Sequence, residues 1–235
     1  NGAFQTQIFG FNGWGGKYQM PGDEDIGTRL AATTTLPCRS TPVIFEGGAV
    51  DTDGTDLFVT TEQCLLNPNR NPGLDKRHIE TLLAGTLGLT DMLWLGDGLL
   101  GDHTDGHVDN LARFVAPGTI AIPEAATADD PNAAIYEDAT ARAKAHGLIV
   151  APMPSPGRVE VDGEIIPASY MNFYIGNAAV VVPLYGQLND QAALDALKPF
   201  FPGRDIVGLP SDAILAGGGS FHCTSQQMPS AGPSS

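Results

Sequence analysis

The chain is short of cysteine and of positive charge. Only three of its 235 residues are cysteines, Cys38, Cys64 and Cys223, irregularly spaced and with no C-x-x-C pair. Neither a disulfide framework nor a thiolate zinc centre is suggested, and a reducing, cytoplasmic setting fits. Lys and Arg number 12 against 27 Asp and Glu, a formal net charge of -15. That shortage argues against a nucleic-acid partner or an anionic membrane surface, while the summed field favours a small cationic ligand. No apolar run reaches the roughly 18 residues of a membrane helix, and no basic-then-apolar leader opens the chain. It begins at Asn1, not Met, directly on a strand-like run, as a fragment would. What it has in quantity is glycine and proline, 29 and 18 residues, which imply many turns. With 42% hydrophobic residues it can bury an ordinary core as one large domain or two small ones.

Those turns punctuate a repeat. Two strands, a helix and a further strand recur three times at roughly 50 to 60 residues, a period typical of propellers and other arrays. The first unit comprises strands over 49–52 and 57–61, a helix over 75–87 and a strand over 91–95. The second has strands at 111–115 and 119–123, a helix at 132–146 and a strand at 148–152. The third has strands at 171–175 and 178–183, a helix at 190–197 and a strand at 205–209. Each is ββαβ, so the chain is α/β. β-branched and aromatic runs bounded by Gly, Asn and Pro mark the strands, and Ile79, Leu82, Leu83 and Leu87 recur at helical spacing. Asp75, Asp130 or Asn132, and Asn189 or Asp190 stand where helix N-caps belong. Residues 5–11 read as a strand left over from an earlier unit, 17–35 as a loop or short helix, and 229–235 as a disordered tail. Three units and two ends do not close a ring.

Candidate chemistry falls at corresponding places in the units, mostly just ahead of the first strand. Glu46 lies before the first unit, His107 and Asp109 before the second, and Cys223 after the third. In a rotationally repeated array such positions point toward a common axis. Cys223 follows Gly217, Gly218 and Gly219 and is preceded by His222. Backbone amides could crowd its sulfur there without Cβ clashes and lower its pKa, although a turn before a buried structural cysteine fits the same residues. The run from Asp102 to Asp109 is the densest polar cluster. If extended, it puts His103, Asp105, His107 and Asp109 on one face. A metal site, a metal-free site with His107 as general base and Asp109 as anionic anchor, and a polar loop capped by Asp residues all remain open. Glu46, beside Gly47 and Gly48, could orient an imidazole or simply face solvent.

Six strings together carry a resemblance. They are Phe11-Asn12-Gly13-Trp14-Gly15-Gly16-Lys17-Tyr18, Glu46-Gly47-Gly48, the stretch Thr61 to Pro72, Asp105-Gly106-His107-Val108-Asp109-Asn110, Ser169 to Tyr174, and Gly217 to Gln227. They occur in order over nearly the whole chain and resemble the agmatine deiminase family. That family is close to the bacterial peptidyl-arginine deiminases and belongs to the guanidine-modifying penteins. The resemblance implies a pentein-type α/β propeller of pseudo-symmetric ββαβ units, incomplete in this chain. Residues 1–228 would be a catalytic domain lacking its N-terminal portion.

By the same resemblance Cys223 is the nucleophile and His107 the general acid and base. Glu46 hydrogen-bonds the imidazole, and Asp109 holds the guanidinium nitrogens. Gly218 and Trp14 join Asp109 in contacting substrate. The implied reaction converts agmatine to N-carbamoylputrescine and ammonia through a covalent thiouronium, a step of polyamine metabolism that needs no cofactor or metal. A guanidinium is a poor electrophile that stays charged, so pairing it with carboxylates beneath a polarizable nucleophile suits the chemistry.

Two departures accompany the resemblance. The family's upstream Trp-x-Arg-Asp-x-Gly-Pro motif, whose Asp is a second anchor, has no counterpart. Ser220 stands where Asn is usual, and Thr224-Ser225 where Ile-Thr is common. Losing one of two anchors costs about 2–5 kcal/mol, so the chain as given is expected to be a weak or inactive enzyme. Other readings are another guanidine hydrolase such as a peptidyl-arginine deiminase, a metal-dependent hydrolase using 102–109, and a non-catalytic pentein-like binding module. An assembly of like chains is compatible with all of them.

Overall fold

The computed structural model describes residues 4–228, so the expected tail at 229–235 lies outside the described residues. Three three-stranded sheets follow one plan. The first has order β3-β4-β5, with β3 Asp51–Thr52, β4 Leu57–Thr61 and β5 Asp91–Leu95. The second has order β6-β7-β8, with β6 Arg113–Ala116, β7 Thr119–Glu124 and β8 Ile149–Pro154. A small hairpin follows, β9 Glu160–Val161 with β10 Glu164–Ile165. The third sheet has order β11-β12-β13, with β11 Tyr174–Ile175, β12 Ala179–Leu184 and β13 Asp205–Pro210.

In each sheet the middle strand runs antiparallel to the one before it and parallel to the one after. An antiparallel partner is reached by a short turn, but a parallel one needs a crossover, and a helix supplies it each time. The crossovers are Lys76–Leu87, Ala133–Ala145 and Asp190–Leu197. The Asp75 carboxylate caps the first of these by accepting the His78 N–H, and Gly88, at φ 75°, ends it in the left-handed conformation glycine tolerates. Each helix buries a narrow stripe between its own sheet and the preceding element: Ile79 and Leu83 lie with Phe58 and Phe45, and Ala139 and Ala143 with Leu95 of the first sheet and Ile120 of the second. The core is accordingly three clusters that lie between neighbouring units: one joins Leu57, Val59, Leu93 and Leu95 to Ile120 and Ile122, and another joins Ala151 and Met153 to Val180 and Val182.

Several boundaries differ from expectation. The strand expected at 171–175 begins only at Tyr174, because residues 169–172 turn. The one expected at 49–52 begins at Asp51 after a 3-10 turn over Gly47–Ala49, and that at 111–115 begins at Arg113. The segment 17–35 contains a helix, Ile26–Ala32. That helix crosses between β1 Thr6–Gly10 and β2 Cys38–Ile44, which pair in parallel. The front of the chain is thus a βαβ element with the order of the later units minus their first strand, and β2 was not anticipated.

Arg113 ties the units together. Its Nε is 3.2 Å from Asp51 Oδ2 of the first sheet, and its Nη1 donates to the carbonyl of Phe173 at 3.0 Å, beside the third. The loops entering β3, β6 and β11 therefore gather on one side. Among the described residues no helix is long and apolar enough to cross a membrane.

Candidate active site

Four segments converge: Glu46–Gly48 before β3, His107–Asn110 before β6, Ser169–Asn172 before β11, and Gly217–Cys223 after β13. The chain at 107–110 is a 3-10 turn, Val108–Asn110, that buries Val108, Asp109 and Asn110. Asp109 is fully buried. Its Oδ2 accepts from His222 Nδ1 at 2.8 Å and from the Cys223 thiol at 3.4 Å, while its Oδ1 has no hydrogen-bond partner. Burial alone would raise its pKa, but the His222 hydrogen bond and the charges of His107, His222 and Arg113 hold the carboxyl below the usual range.

Cys223 is reached by the expected glycine turn. Gly218 has φ 96°, and a Cβ on Gly219 would stand 3.1 Å from the Cys223 sulfur. Cys223 is exposed as a residue, yet its sulfur packs down on Asp109 and Asn172. Those dense surroundings and the Asp109 charge push the thiol up to about 12, against hydrogen bonds from the Ser220 backbone and the Asn172 side chain. The glycine turn does not lower the thiol pKa in this state, because the nearest charge is an anion. Ser220, at a position of departure from the family pattern, is buried and shares a 2.6 Å hydroxyl contact with Ser211.

His107 is buried, with Nδ1 toward Gly48 and Nε2 toward Glu46 and Cys64. A Cβ on Gly48 would come within 2.5 Å of His107 Nδ1 and 2.9 Å of Asp109 Oδ2, so only glycine lets this backbone lie against both. Burial would depress the imidazole. Contacts with Cys64 and Glu46 and the Asp109 charge outweigh it and raise His107 to about 10. Glu46 Oε2 is 3.9 Å from Nε2, an ion-pair distance longer than a hydrogen bond. Burial would raise the Glu46 pKa, and His107 and Arg70 together hold it low.

The expected common face of His103, Asp105, His107 and Asp109 does not form. Asp105 and Gly106 both have positive φ, 62° and 81°, so the run turns instead of extending. His103 Nδ1 meets the Tyr18 hydroxyl at 3.0 Å, and Asp105 accepts from Arg70, Asn69 and Lys17. The metal reading of 102–109 is thereby lost. Among the described residues one other donor set converges, Glu46, Cys64 and His107, with ligand atoms within 4.8 Å of one another. Arg70 Nε already takes both Glu46 oxygens, so a side-chain cation stands where a metal would bind.

Trp14 lies in a loop with φ 53° and packs edge-on to Phe11 and Tyr18. It approaches the cysteine loop only through Tyr18 and His103, which adjoins Gly218. Three further residues, Asn172, His222 and Arg70, shape the site although no local sequence pattern marks them. Asn172 Oδ1 accepts the His222 and Cys223 N–H groups at 3.0 and 3.2 Å, and its Nδ2 donates to Asn110 Oδ1 and the Cys223 sulfur. His222 occupies one oxygen of Asp109, and Arg70 clamps Glu46. Asn172 was within reach, since it precedes β11 just as Asp109 precedes β6.

A sequence model of the Porphyromonas-type peptidyl-arginine deiminase family matches residues 4–229. A Yersinia pestis protein, provisionally assigned as an agmatine deiminase, is 37% identical over 98% of this chain and 72% of its own length. The solved agmatine deiminase of Enterococcus faecalis is 34% identical with a TM-score of 0.90, covering 97% of this chain and 71% of that one. A cysteine-to-serine variant of the C. jejuni agmatine deiminase, solved with substrate bound, is 32% identical with a TM-score of 0.90 over 96% of this chain and 68% of that one.

Proposed function

Because the chain belongs to the Porphyromonas-type peptidyl-arginine deiminase family, we propose that it is built to hydrolyse the guanidinium of agmatine to N-carbamoylputrescine and ammonia. The proposal rests on the two oxygens of buried Asp109: Oδ2 contacts the Cys223 sulfur, and Oδ1 has no hydrogen-bond partner. A buried carboxylate oxygen left without a hydrogen bond is costly, and a guanidinium N–H is a group that would satisfy it.

Cys223 is the nucleophile in this reading. With Cys223 near 12 and His107 near 10, the free site holds a thiol and an imidazolium at neutral pH. A guanidinium docked on Asp109 offsets the charge that holds the thiol up, so on binding the thiol releases its proton to solvent and the thiolate forms. Its lone pair makes the C–S bond at the guanidinium carbon, and the C–N bond then breaks as His107 gives its proton to departing ammonia. Water attacks the thiouronium and loses a proton to His107, and the C–S bond breaks to return the thiolate and release the ureido product. Glu46 steadies the imidazolium, while Gly218 and Trp14 border the bound substrate.

A pentein propeller, with residues 1–228 as one catalytic domain, belongs to the same proposal. Its support is the convergence of three equivalent loops and the recurring ββαβ plan. A cytoplasmic setting belongs to it too, supported by three free cysteines. Product analysis by mass spectrometry after incubation with agmatine, free arginine and an arginine peptide tests the substrate. N-carbamoylputrescine from agmatine alone supports the proposal, while a ureido product from the peptide alone moves the assignment to peptidyl-arginine.

A further inference from the structure

Arg70 lies in the loop after Thr61, in the sequence Asn67-Pro68-Asn69-Arg70-Asn71-Pro72, and its side chain is fully buried. Each of its guanidinium nitrogens is used. Nε donates to Glu46 Oε1 and Oε2 at 2.9 and 3.0 Å. On its other flank Nη1 donates to Asp105 Oδ2 at 2.7 Å and Asn69 Oδ1 at 3.1 Å, and Nη2 donates to the Thr104 carbonyl at 2.6 Å. Asp105 is itself held by Asn69 and Lys17, in a left-handed conformation that a non-glycine residue adopts only when its surroundings enforce it.

The consequence falls on His107. Its Nε2 is buried and without a hydrogen-bond partner, and Glu46 Oε2 is 3.9 Å away. A carboxylate buried beside an imidazole stays ionised and aimed only if something else accepts part of its charge; otherwise it takes a proton or turns to solvent. Arg70 is the group in contact with both Glu46 oxygens. Its planar fork fixes direction as well as charge, which a lysine ammonium does not.

We propose that Arg70 is a positioning residue: anchored by Asp105 and Thr104, it holds Glu46 ionised and aimed at Nε2 of His107. The inference rests on the deiminase reading for its catalytic meaning, but its structural content concerns Glu46 and His107 alone. A purely architectural Arg70 would support the loop without acting through Glu46.

The experiment compares Arg70→Lys, Glu46→Gln and the double variant, with Asp105→Asn as a milder change in case Arg70→Lys does not fold. Two quantities are read, agmatine turnover and the nitrogen NMR titration of the His107 ring. Arg70→Lys is expected to lower kcat by about a hundredfold with KM little changed, the size of loss that follows from misplacing a catalytic group by an ångström. In the Glu46→Gln background the same change should cost less than about twofold, because the two residues act as one unit. The His107 midpoint should move in Arg70→Lys, and less far in Asp105→Asn. Independent, multiplying losses in kcat, or a His107 titration identical to that of the unaltered protein, overturn the proposal. If the unaltered protein, with one of the two expected anchors missing, turns over too little agmatine to measure, the titration alone decides whether Arg70 governs His107; a ureido product from a guanidine other than agmatine moves the deiminase reading to that substrate and leaves the Arg70 comparison to be read with it.

Discussion

The sulfur of Cys223 and Oδ2 of Asp109 lie 3.4 Å apart, so the thiol of the free site rests on a buried carboxylate. In the proposed mechanism this contact keeps the site idle until a cation binds. The Asp109 charge and the dense surroundings keep Cys223 protonated, and a guanidinium bound to the same carboxylate removes the first of those two restraints.

Asp109→Asn should separate activation from binding. With the anion gone, the Cys223 pKa falls from about 12 toward the ordinary thiol value, and iodoacetamide should label it at lower pH. Agmatine should no longer slow that labelling, because the anchor is missing. A pH profile of labelling with and without agmatine checks both halves; an unmoved profile would mean Asp109 does not hold the thiol up.

Gly48→Ala should abolish turnover while leaving the chain folded. The added methyl would stand 2.5 Å from His107 Nδ1 and 2.9 Å from Asp109 Oδ2, so imidazole and carboxylate must move apart. Circular dichroism with an agmatine assay is sufficient. A loss of about a hundredfold or more is expected from such a misplacement.

His107 makes stability fall on the alkaline side. Its folded pKa, about 10, lies above the ordinary 6.5, so its contribution is fully present below about pH 6.5 and is lost as pH rises through 10. Cys223 acts in the same direction, since its thiol is harder to ionise folded than unfolded. Urea midpoints across pH 7 to 10 should therefore decline, and His107→Gln should flatten the decline. A His107→Gln variant with an unchanged slope would show that the imidazole is not held protonated by its neighbours.

Much of this was legible in the sequence. The strands at Leu57–Thr61 and Asp91–Leu95 and the helix at Asp190–Leu197 lie where periodicity put them, because their apolar residues are buried in the cores between neighbouring sheets. The same period placed Glu46, His107, Asp109 and Cys223 within one site. What escaped has local causes. The β2 strand is largely exposed and contains Pro42, so it lacks alternation to read. The 102–109 run looked like a strand face, but Asp105 and Gly106 turn it. Arg70 and Asn172 act through partners 24 to 62 residues away, which no local pattern records.

Whether Asp109 and Cys223 form a guanidinium pocket is read from labelling with a haloacetamidine, a guanidine-shaped alkylator, beside iodoacetamide, with and without agmatine. Intact mass and peptide mapping should find one adduct, at Cys223, that agmatine suppresses. Equal labelling of exposed Cys38 and Cys223, indifferent to agmatine, would contradict the account.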